Sequence, residues 1–148
     1  MSIYFGEKNG EFTACFTVHA APQGKARPRV TRHGTYTPQK TKEYEAEVQL
    51  AYMMQCQGAK FPDVPLVVII DAEYPIPKST SKKRRQMMLD GKIRPAVKPD
   101  ADNVAKAICD ALNGEAWKDD AQVCTLIVRK VYGENPKVHV QIRQVETG

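Results

Sequence analysis

Acidic side chains are concentrated between residues 100 and 120, although the chain as a whole carries a formal net charge of +5. Asp100 and Asp102 are separated by one residue, and Asp119 is followed directly by Asp120. A hairpin-like return of the chain would bring one acid of the second pair back beside the first pair. Carboxylate oxygens are the hard ligands that magnesium prefers, usually a few of them together with water and substrate oxygens. The segment therefore predicts a divalent-metal site, at which the ion polarises a phosphate and generates hydroxide from bound water.

A lysine accompanies the first pair of acids. Lys106 follows Asp102 by four residues, so both side chains are expected on one face of a predicted helix. Its ammonium group would stabilise the negative charge that develops on a reacting phosphate, or help to orient the nucleophile. The apolar residues Val104, Ile108 and Leu112 form the adjacent stripe, which would bury the helix and fix its polar side chains in place.

Each of these residues also has a structural explanation. Asp100 or Asp102 would stabilise the helix by about 1 kcal/mol as an N-cap residue. Lys106 would contribute roughly a few tenths of a kcal/mol by pairing with Asp102 or with Asp110. The pair Asp119–Asp120 would suit a turn. The residues alone leave both interpretations open.

Basic residues are concentrated in two other segments. Residues 12–42 contain six lysines and arginines and no acid, and residues 78–98 contain eight against the single Asp90. Arginines in the Pro- and Gly-rich loop GKARPR suit bidentate contact with phosphate, whereas KKRR on a helix is more often a solvated face. Together with a pI near 9.0, the segments indicate a polyanionic partner such as nucleic acid. The candidate contacts to that partner are Lys25, Arg27, Arg29, Arg32, Lys82, Lys83, Arg84 and Arg85.

The remaining composition restricts the class of protein. The four cysteines are far apart and form no CxxC pair, which argues against a zinc site, and the three histidines show no ligand spacing. No apolar run follows Met1, and the longest apolar run, Leu66–Ile70, is too short to span a bilayer. We therefore expect a cytoplasmic protein with reduced cysteines and no membrane partner. Trp117 is expected in the core or an interface, not as a platform for base stacking.

Periodicity and capping residues predict four strands and three helices. The strands are predicted at 12–18, 65–74, 121–132 and 137–145, and the loop after the first contains a short hairpin that turns at His33–Gly34. The helices are predicted from Pro38, with Thr37 as N-cap, to about Gln57; from a cap at Ser79 or Ser81 to Leu89; and from Asp100–Asp102 to Asn113. We predict one α+β domain over residues 1–148, with helices packed on a mixed β-sheet.

The acidic segment also resembles a known family. The stretch KPDADNVAKAICDALNG followed by WKDDAQV is similar to the signature of the RusA-type Holliday junction resolvases, which are crossover junction endodeoxyribonucleases common in bacteria and their prophages. The loop PQGKARPR resembles the basic loop that many members carry near their first strand. The densest match covers residues 98–123.

The resemblance implies a RusA-like fold and a specific activity. It implies a magnesium-dependent, structure-selective endonuclease that acts as a homodimer on four-way DNA junctions in recombination and repair. Paired symmetric nicks in opposing strands would leave 5′-phosphate ends. By the same resemblance, Asp100, Asp102 and Asp120 are the metal-binding acids and Lys106 is the catalytic lysine. Asn103 falls on the motif asparagine, with an expected role in ordering the helix start, and Asp119 has no assigned role.

Two other functions compete with this one. A non-catalytic DNA-binding protein would use the acids as caps and turn residues, but it would gain nothing from six acids that repel phosphate within its footprint. A magnesium-dependent nucleotide phosphohydrolase is the third candidate. The lack of a Gly-rich phosphate loop and the length of the basic segments count against it.

Overall fold

The structure is a computed structural model and describes residues 4–8, 11–26 and 29–145. It contains a mixed five-stranded sheet, a separate two-stranded hairpin and three α-helices. The strands of the main sheet are β1 (Tyr4–Lys8), β2 (Glu11–Val18), β5 (Leu66–Pro75), β6 (Val123–Gly133) and β7 (Lys137–Gln144). The hairpin consists of β3 (Arg29–Thr31) and β4 (Gly34–Tyr36). The helices are α1 (Gln39–Cys56), α2 (Lys82–Leu89) and α3 (Ala101–Leu112), and Asp120–Gln122 form one turn of 3-10 helix.

The order of the strands across the main sheet is β1-β2-β7-β5-β6. β5 runs parallel to β6, whereas every other neighbouring pair is antiparallel. The parallel pair requires a crossover, and the chain between β5 and β6 supplies it with α2 and α3. The predicted α+β class and the mixed sheet are confirmed. β1 was not predicted, because the polar residues around it obscure its alternation.

One face of the sheet carries the core. Along β5 the side chains alternate, and Leu66, Val68 and Ile70 are fully buried. α3 covers this face with Val104, Ile108 and other residues of the predicted apolar stripe. Burying each such side chain stabilises the fold by about 1.5–3 kcal/mol. α3 is therefore held firmly against the sheet, and its polar residues are left on the outer face.

The helix ends differ from the prediction by small shifts. Pro38 has ψ 145° and is the N-cap of α1, so the helix begins at Gln39 and not at Pro38. The fixed φ of proline suits either position, so the sequence did not decide between them. Ser81, and not Ser79, caps α2, because its side chain accepts the N–H of Arg84.

The predicted hairpin is present in the basic loop. Thr31 pairs with Gly34, so Arg32 and His33 form the turn, one residue before the predicted turn at His33–Gly34. Gly34 has φ +117°, a conformation that favours glycine. Across the described ranges, no helix is both long and apolar enough to cross a membrane.

Candidate active site

The acidic segment begins at the N-terminus of α3, where Asp100 is the N-cap residue. Its backbone carbonyl accepts the N–H of Val104 at 3.0 Å, but its side chain makes no capping hydrogen bond. Asp102 lies in the first helical turn and is exposed. Negative charge there is favoured by the helix dipole, so Asp102 retains a structural benefit. The Asp100 carboxylate, in contrast, is not used as a cap.

The start of α3 is fixed by the end of β5. The hydroxyl of Tyr74 donates to the carbonyl of Pro99 at 2.5 Å, directly before Asp100. Burial and then the nearby charge of Asp100 raise the pKa of Tyr74 to about 12, so the hydroxyl stays protonated as a donor. Lys130 of β6 lies 4.8 Å from the centre of the Tyr74 ring. Two strands of the sheet thus hold the residue that precedes the first candidate ligand.

Lys106 is exposed on the outer face of α3. The structural alternative predicts an ion pair between Lys106 and Asp102 or Asp110. Neither pair is among the salt bridges of the described residues. Asp110 instead accepts from Lys25 at 2.5 Å. Lys106 is thus an exposed cation one helical turn after Asp102.

Asp120 is held by the tryptophan three residues before it. The indole Nε1–H of Trp117 donates to Asp120 Oδ1 at 2.7 Å, and Trp117 is completely buried. Burial raises the pKa of Asp120, the hydrogen bond from Trp117 lowers it, and the charges of Asp110 and Asp119 raise it further. Trp117 is a core residue, as predicted, and it also orients a candidate ligand. The sequence analysis missed that second role, although a buried indole N–H needs a partner.

Asp120 lies toward the C-terminal half of α3. Its charge acts on the partly buried thiol of Cys109, whose pKa is raised to about 12 by burial, then by Asp120, then by Asp110. The charges of Asp110 and Lys25 also act on Asp120. The return of Asp120 to the start of α3 stays a prediction.

Asp119 has a structural role. Its side chain accepts the N–H of Ala121 at 3.2 Å. It also accepts the N–H of Gln122, and its own N–H donates to Gln122 Oε1 at 3.2 Å, and this reciprocal pair forms a capping box. Gln122 also donates to the carbonyls of Pro62 and Val64. These bonds fix the turn that carries Asp120. They explain Asp119 without a part in chemistry.

The acidic side chains offer the carboxylate oxygens that magnesium prefers, but the described residues do not form a complete ligand set. Among residues 12–26 and 29–145, no group of three or more His, Cys, Asp or Glu side chains is positioned to hold one ion. Asp100 and Asp102 nevertheless offer carboxylates two residues apart, and Asp120 Oδ2 is not the oxygen bonded by Trp117. Magnesium is commonly held by one or two carboxylates, with waters and substrate phosphates completing its shell. The chain therefore supplies a partial ligand set of the kind that a phosphate substrate completes.

The loop after β2 is clamped to α3. The backbone N–H of Lys25 donates to Asn103 Oδ1 at 3.1 Å, and Lys25 Nζ is 2.5 Å from Asp110 Oδ2 and 3.6 Å from Glu45 Oε1. The pKa of Lys25 is raised, chiefly by its hydrogen bond to Asp110. Gly24 lies so close to α3 that a Cβ atom there would be 2.1 Å from Asn103 Nδ2. Lys25, predicted to contact nucleic acid, thus directs its charge to two acids of the protein.

The other predicted basic contacts lie on two surfaces. Arg32 is exposed in the β3–β4 turn, and the backbone of Arg29 is in β3, whereas Arg27 lies outside the described residues. On α2, Arg85 is 3.0 Å from Glu134, and the other cations are exposed. The exposed α2 residues are Lys82, Lys83 and Arg84.

A cavity of about 470 Å³ adjoins Asp100, between the loop after β2 and the N-terminus of α1. Lys40 and Lys98 line it, and so does Asn103. Both lysines belong to the basic segments of the sequence, but neither was predicted to contact nucleic acid. No sequence signal separates them from the other lysines, because the cavity is formed by segments distant in the chain.

Comparison with known proteins agrees with the signature. A family model described as Endodeoxyribonuclease RusA matches residues 19–143. The chain is also similar to a protein of Bacillus subtilis (strain 168) described as "Uncharacterized protein YqaN". The two are 38% identical over 136 residues, which cover 88% of this chain and 95% of that protein. The matched residues include α3, Trp117 and Asp120.

Proposed function

Since this chain belongs to the RusA endodeoxyribonuclease family, we propose that it resolves four-way DNA junctions by magnesium-dependent, paired symmetric nicks. One observation supports this most strongly: the acidic segment is divided between structural and uncommitted side chains. Asp110 and Asp119 are engaged within the protein, whereas Asp100 makes no capping bond at a rigidly held position. A carboxylate without a structural task, next to an exposed lysine, is what metal-assisted phosphate chemistry requires.

Each residue then has a distinct task. Asp100 and Asp102 would hold the ion, and Asp120 is the third proposed ligand, oriented by Trp117. When bound, magnesium supplies Lewis-acid activation of the scissile phosphate and of a water molecule. Lys106 would stabilise negative charge on the phosphate oxygens as the bond breaks, since it follows Asp102 by one turn on the same face of α3. Hydrolysis of the bond between phosphorus and the 3′ oxygen would leave a 3′-hydroxyl and a 5′-phosphate, which a ligase can seal.

The basic surfaces would hold the DNA. The exposed cations of α2 and of the β3–β4 turn suit contacts to backbone phosphates, which fix position without reading sequence. Lys25 differs from them, because its charge is already balanced by Asp110 and Glu45. We assign it to holding the basic loop on α3.

The paired nicks require two active sites, and we propose that a second copy of the chain supplies the other one. β6 forms one edge of the sheet and pairs with β5 on one side only, among the described strands. Leu126 and Ile127 of β6 are 46% and 41% exposed, on opposite faces of the strand. A long apolar edge strand is a site for pairing with another chain. Two β6 strands related by a two-fold axis would continue the sheet across a homodimer.

A non-catalytic DNA-binding protein remains the competing candidate, favoured by the lack of a three-residue ligand cluster in the described ranges. Cutting of a labelled four-way junction and a matched linear duplex, each with magnesium and with chelator, separates the two. We expect paired nicks at symmetric positions in the junction with magnesium, and no cutting of the duplex. Equal binding of both DNAs without cutting would support the binding protein. Hydrolysis of deoxynucleoside triphosphates alone would support the phosphohydrolase.

A further inference from the structure

The cavity beside Asp100 has the size and position of a binding subsite. Its volume of about 470 Å³ lies within the range of about 300–1,000 Å³ for small-molecule pockets. Asp100 forms part of its lining, so anything bound there is adjacent to the proposed metal ligands. Asp102, Lys106 and Asp120 do not line it. The cavity therefore flanks the proposed reacting centre and does not coincide with it.

The charges around the cavity favour an anion. Three lysines line it, and Asp100 is the only acid among the lining residues. Lys25 is paired with Asp110 and Glu45, whereas Lys40 and Lys98 are exposed and take part in none of the salt bridges between described residues. Lysine binds phosphate as a mobile point charge. Two available ammonium groups beside one carboxylate are thus suited to a phosphate that lies next to a metal-bound one.

The walls of the cavity are held by hydrogen bonds from both helices. Asn103 of α3 accepts the N–H of Lys25 at 3.1 Å, and Thr41 of α1 accepts the N–H of Ala26 at 3.2 Å. Thr41 is buried, and Gly24 lies directly against Asn103. The loop is therefore bonded to α3 and α1 at consecutive residues. A pre-formed site of this kind costs little ordering when its ligand binds.

The geometry points to a subsite that receives the DNA nucleotide next to the scissile phosphate, with the neighbouring backbone phosphate contacted by Lys40 and Lys98. This inference rests on the proposed function, because the role of Asp100 defines which phosphate is scissile. The ligand chemistry is that of a nucleoside phosphate, either as part of a DNA strand or free. The strand is the expected source, because the cavity adjoins a proposed endonuclease centre.

The test measures binding and not cutting, so it is done in chelator. Four-way junctions carry a single neutral methylphosphonate at successive positions around the crossover. Their affinities are compared for the parent, the double variant Lys40→Met/Lys98→Met and the control Lys60→Met, an exposed lysine outside the cavity. A methylphosphonate at one position near the crossover should weaken binding by the parent about tenfold. The same substitution should not weaken binding by the double variant, which already lacks the two lysines. Each lysine removed should also lower the salt slope of binding by about 1. Lys60→Met should keep the parent pattern.

Equal losses for the parent and the double variant at every position would overturn the inference, because the lysines would then contact no particular phosphate. Displacement of the junction by micromolar deoxynucleoside monophosphate would also overturn it, in favour of a free-nucleotide site. Lys40→Arg/Lys98→Arg retains the charge and should restore the parent pattern, which excludes misfolding as the cause. A parent that never cuts but shows the positional loss would contradict the proposed activity and leave the subsite supported.

Discussion

At the scale of single residues, neighbouring acids with the same chemistry have different tasks. Asp119 caps the turn of 3-10 helix through a capping box. Asp120 Oδ1 instead accepts the indole N–H of Trp117, and Asp120 Oδ2 takes no part in that bond. A turn is a sufficient explanation for Asp119 but not for Asp120. We therefore assign a structural role to Asp119 and keep the chemical role of Asp120 as a proposal.

Substitution of Asp119 and substitution of Asp120 should affect different properties of the protein. Asp119→Ala removes the cap and should lower the free energy of unfolding by about 1 kcal/mol, with junction cutting at the parent rate per folded molecule. Asp120→Asn keeps the shape but removes a charge, so cutting should fall by at least about a hundredfold if Asp120 holds the metal. Chemical denaturation and single-turnover cutting measure the two effects. Full cutting by Asp120→Asn would remove Asp120 from the ligand set.

The hydrogen bond that holds Asp120 can be tested by replacing Trp117. Trp117→Phe removes the N–H that donates to Asp120 Oδ1 at 2.7 Å and should destabilise the fold by about 1–3 kcal/mol. Cutting should fall because the carboxylate loses its orientation. The double variant Trp117→Phe/Asp120→Asn should cut no more slowly than Asp120→Asn alone. Additive losses in the rate of cutting would show that Trp117 acts by another route.

At the same scale, the candidate residues could be predicted from the sequence, but their partners could not. The spacing of Asp100, Asp102 and Lys106 on a helix start is a local property and could be predicted. The pairing of Lys25 with Asp110 joins residues 85 positions apart, which no local pattern encodes. Lys25 was consequently grouped with the phosphate contacts. The position of Asp120 along α3 also depends on the path of a loop, which the sequence does not specify.

At the scale of elements, the loop after β2 and α3 form one unit. Asn103 bonds the backbone of Lys25, and Gly24 allows the close approach of the loop. That Asn103 also orders the helix start stays a prediction. The structure shows that its side chain bonds a distant segment to the helix. Asn103 thereby links the basic loop to the acidic segment.

Gly24 provides a test of this contact. Gly24→Ala places a Cβ atom 2.1 Å from Asn103 Nδ2 and should lower the free energy of unfolding by about 1–3 kcal/mol. Asn103→Ala loses the bond to Lys25 but makes room for that Cβ atom. The double variant should therefore be destabilised by less than the sum of the single variants. Additivity in chemical denaturation would contradict the close contact.

The elements themselves were largely predictable. α3 has a strong apolar stripe, and β5 and β7 alternate between buried and partly exposed residues, so periodicity placed all three. β1 was missed, because its pairing with β2, and not its own pattern, makes it a strand. The start of α1 shifted by one residue, because proline fits both sides of a helix boundary.

At the scale of the whole molecule, the exposed large apolar residues of the described chain are grouped in two places and single at Val30, Leu89 and Val97. One is β6 with Leu126 and Ile127, and the other is α1 with Leu50, Met53 and Met54. Of these two groups, only the first lies on an edge strand of the main sheet. We therefore expect the second copy at β6 and not at α1.

Leu126→Asp should shift the protein from dimer to monomer at micromolar concentration, because it places a charge in the apolar contact. Met54→Asp is the matched control, since Met54 is 72% exposed on α1 and should leave the dimer intact. Sedimentation equilibrium measures both. A dimer lost with Met54→Asp and kept with Leu126→Asp would place the interface on α1. A monomeric parent would contradict the proposed homodimer.

Asp102→Asn tests most directly the proposal that the acids at the start of α3 hold a metal ion for DNA cleavage. Junction cutting with magnesium and junction binding in chelator are measured for the parent, Asp102→Asn and Asp63→Asn. The last variant makes the same charge change at an exposed loop residue. We predict that Asp102→Asn binds the junction at least as tightly as the parent, because it repels phosphate less, but does not cut it. Asp63→Asn should cut normally. Parental cutting by Asp102→Asn would contradict the claim.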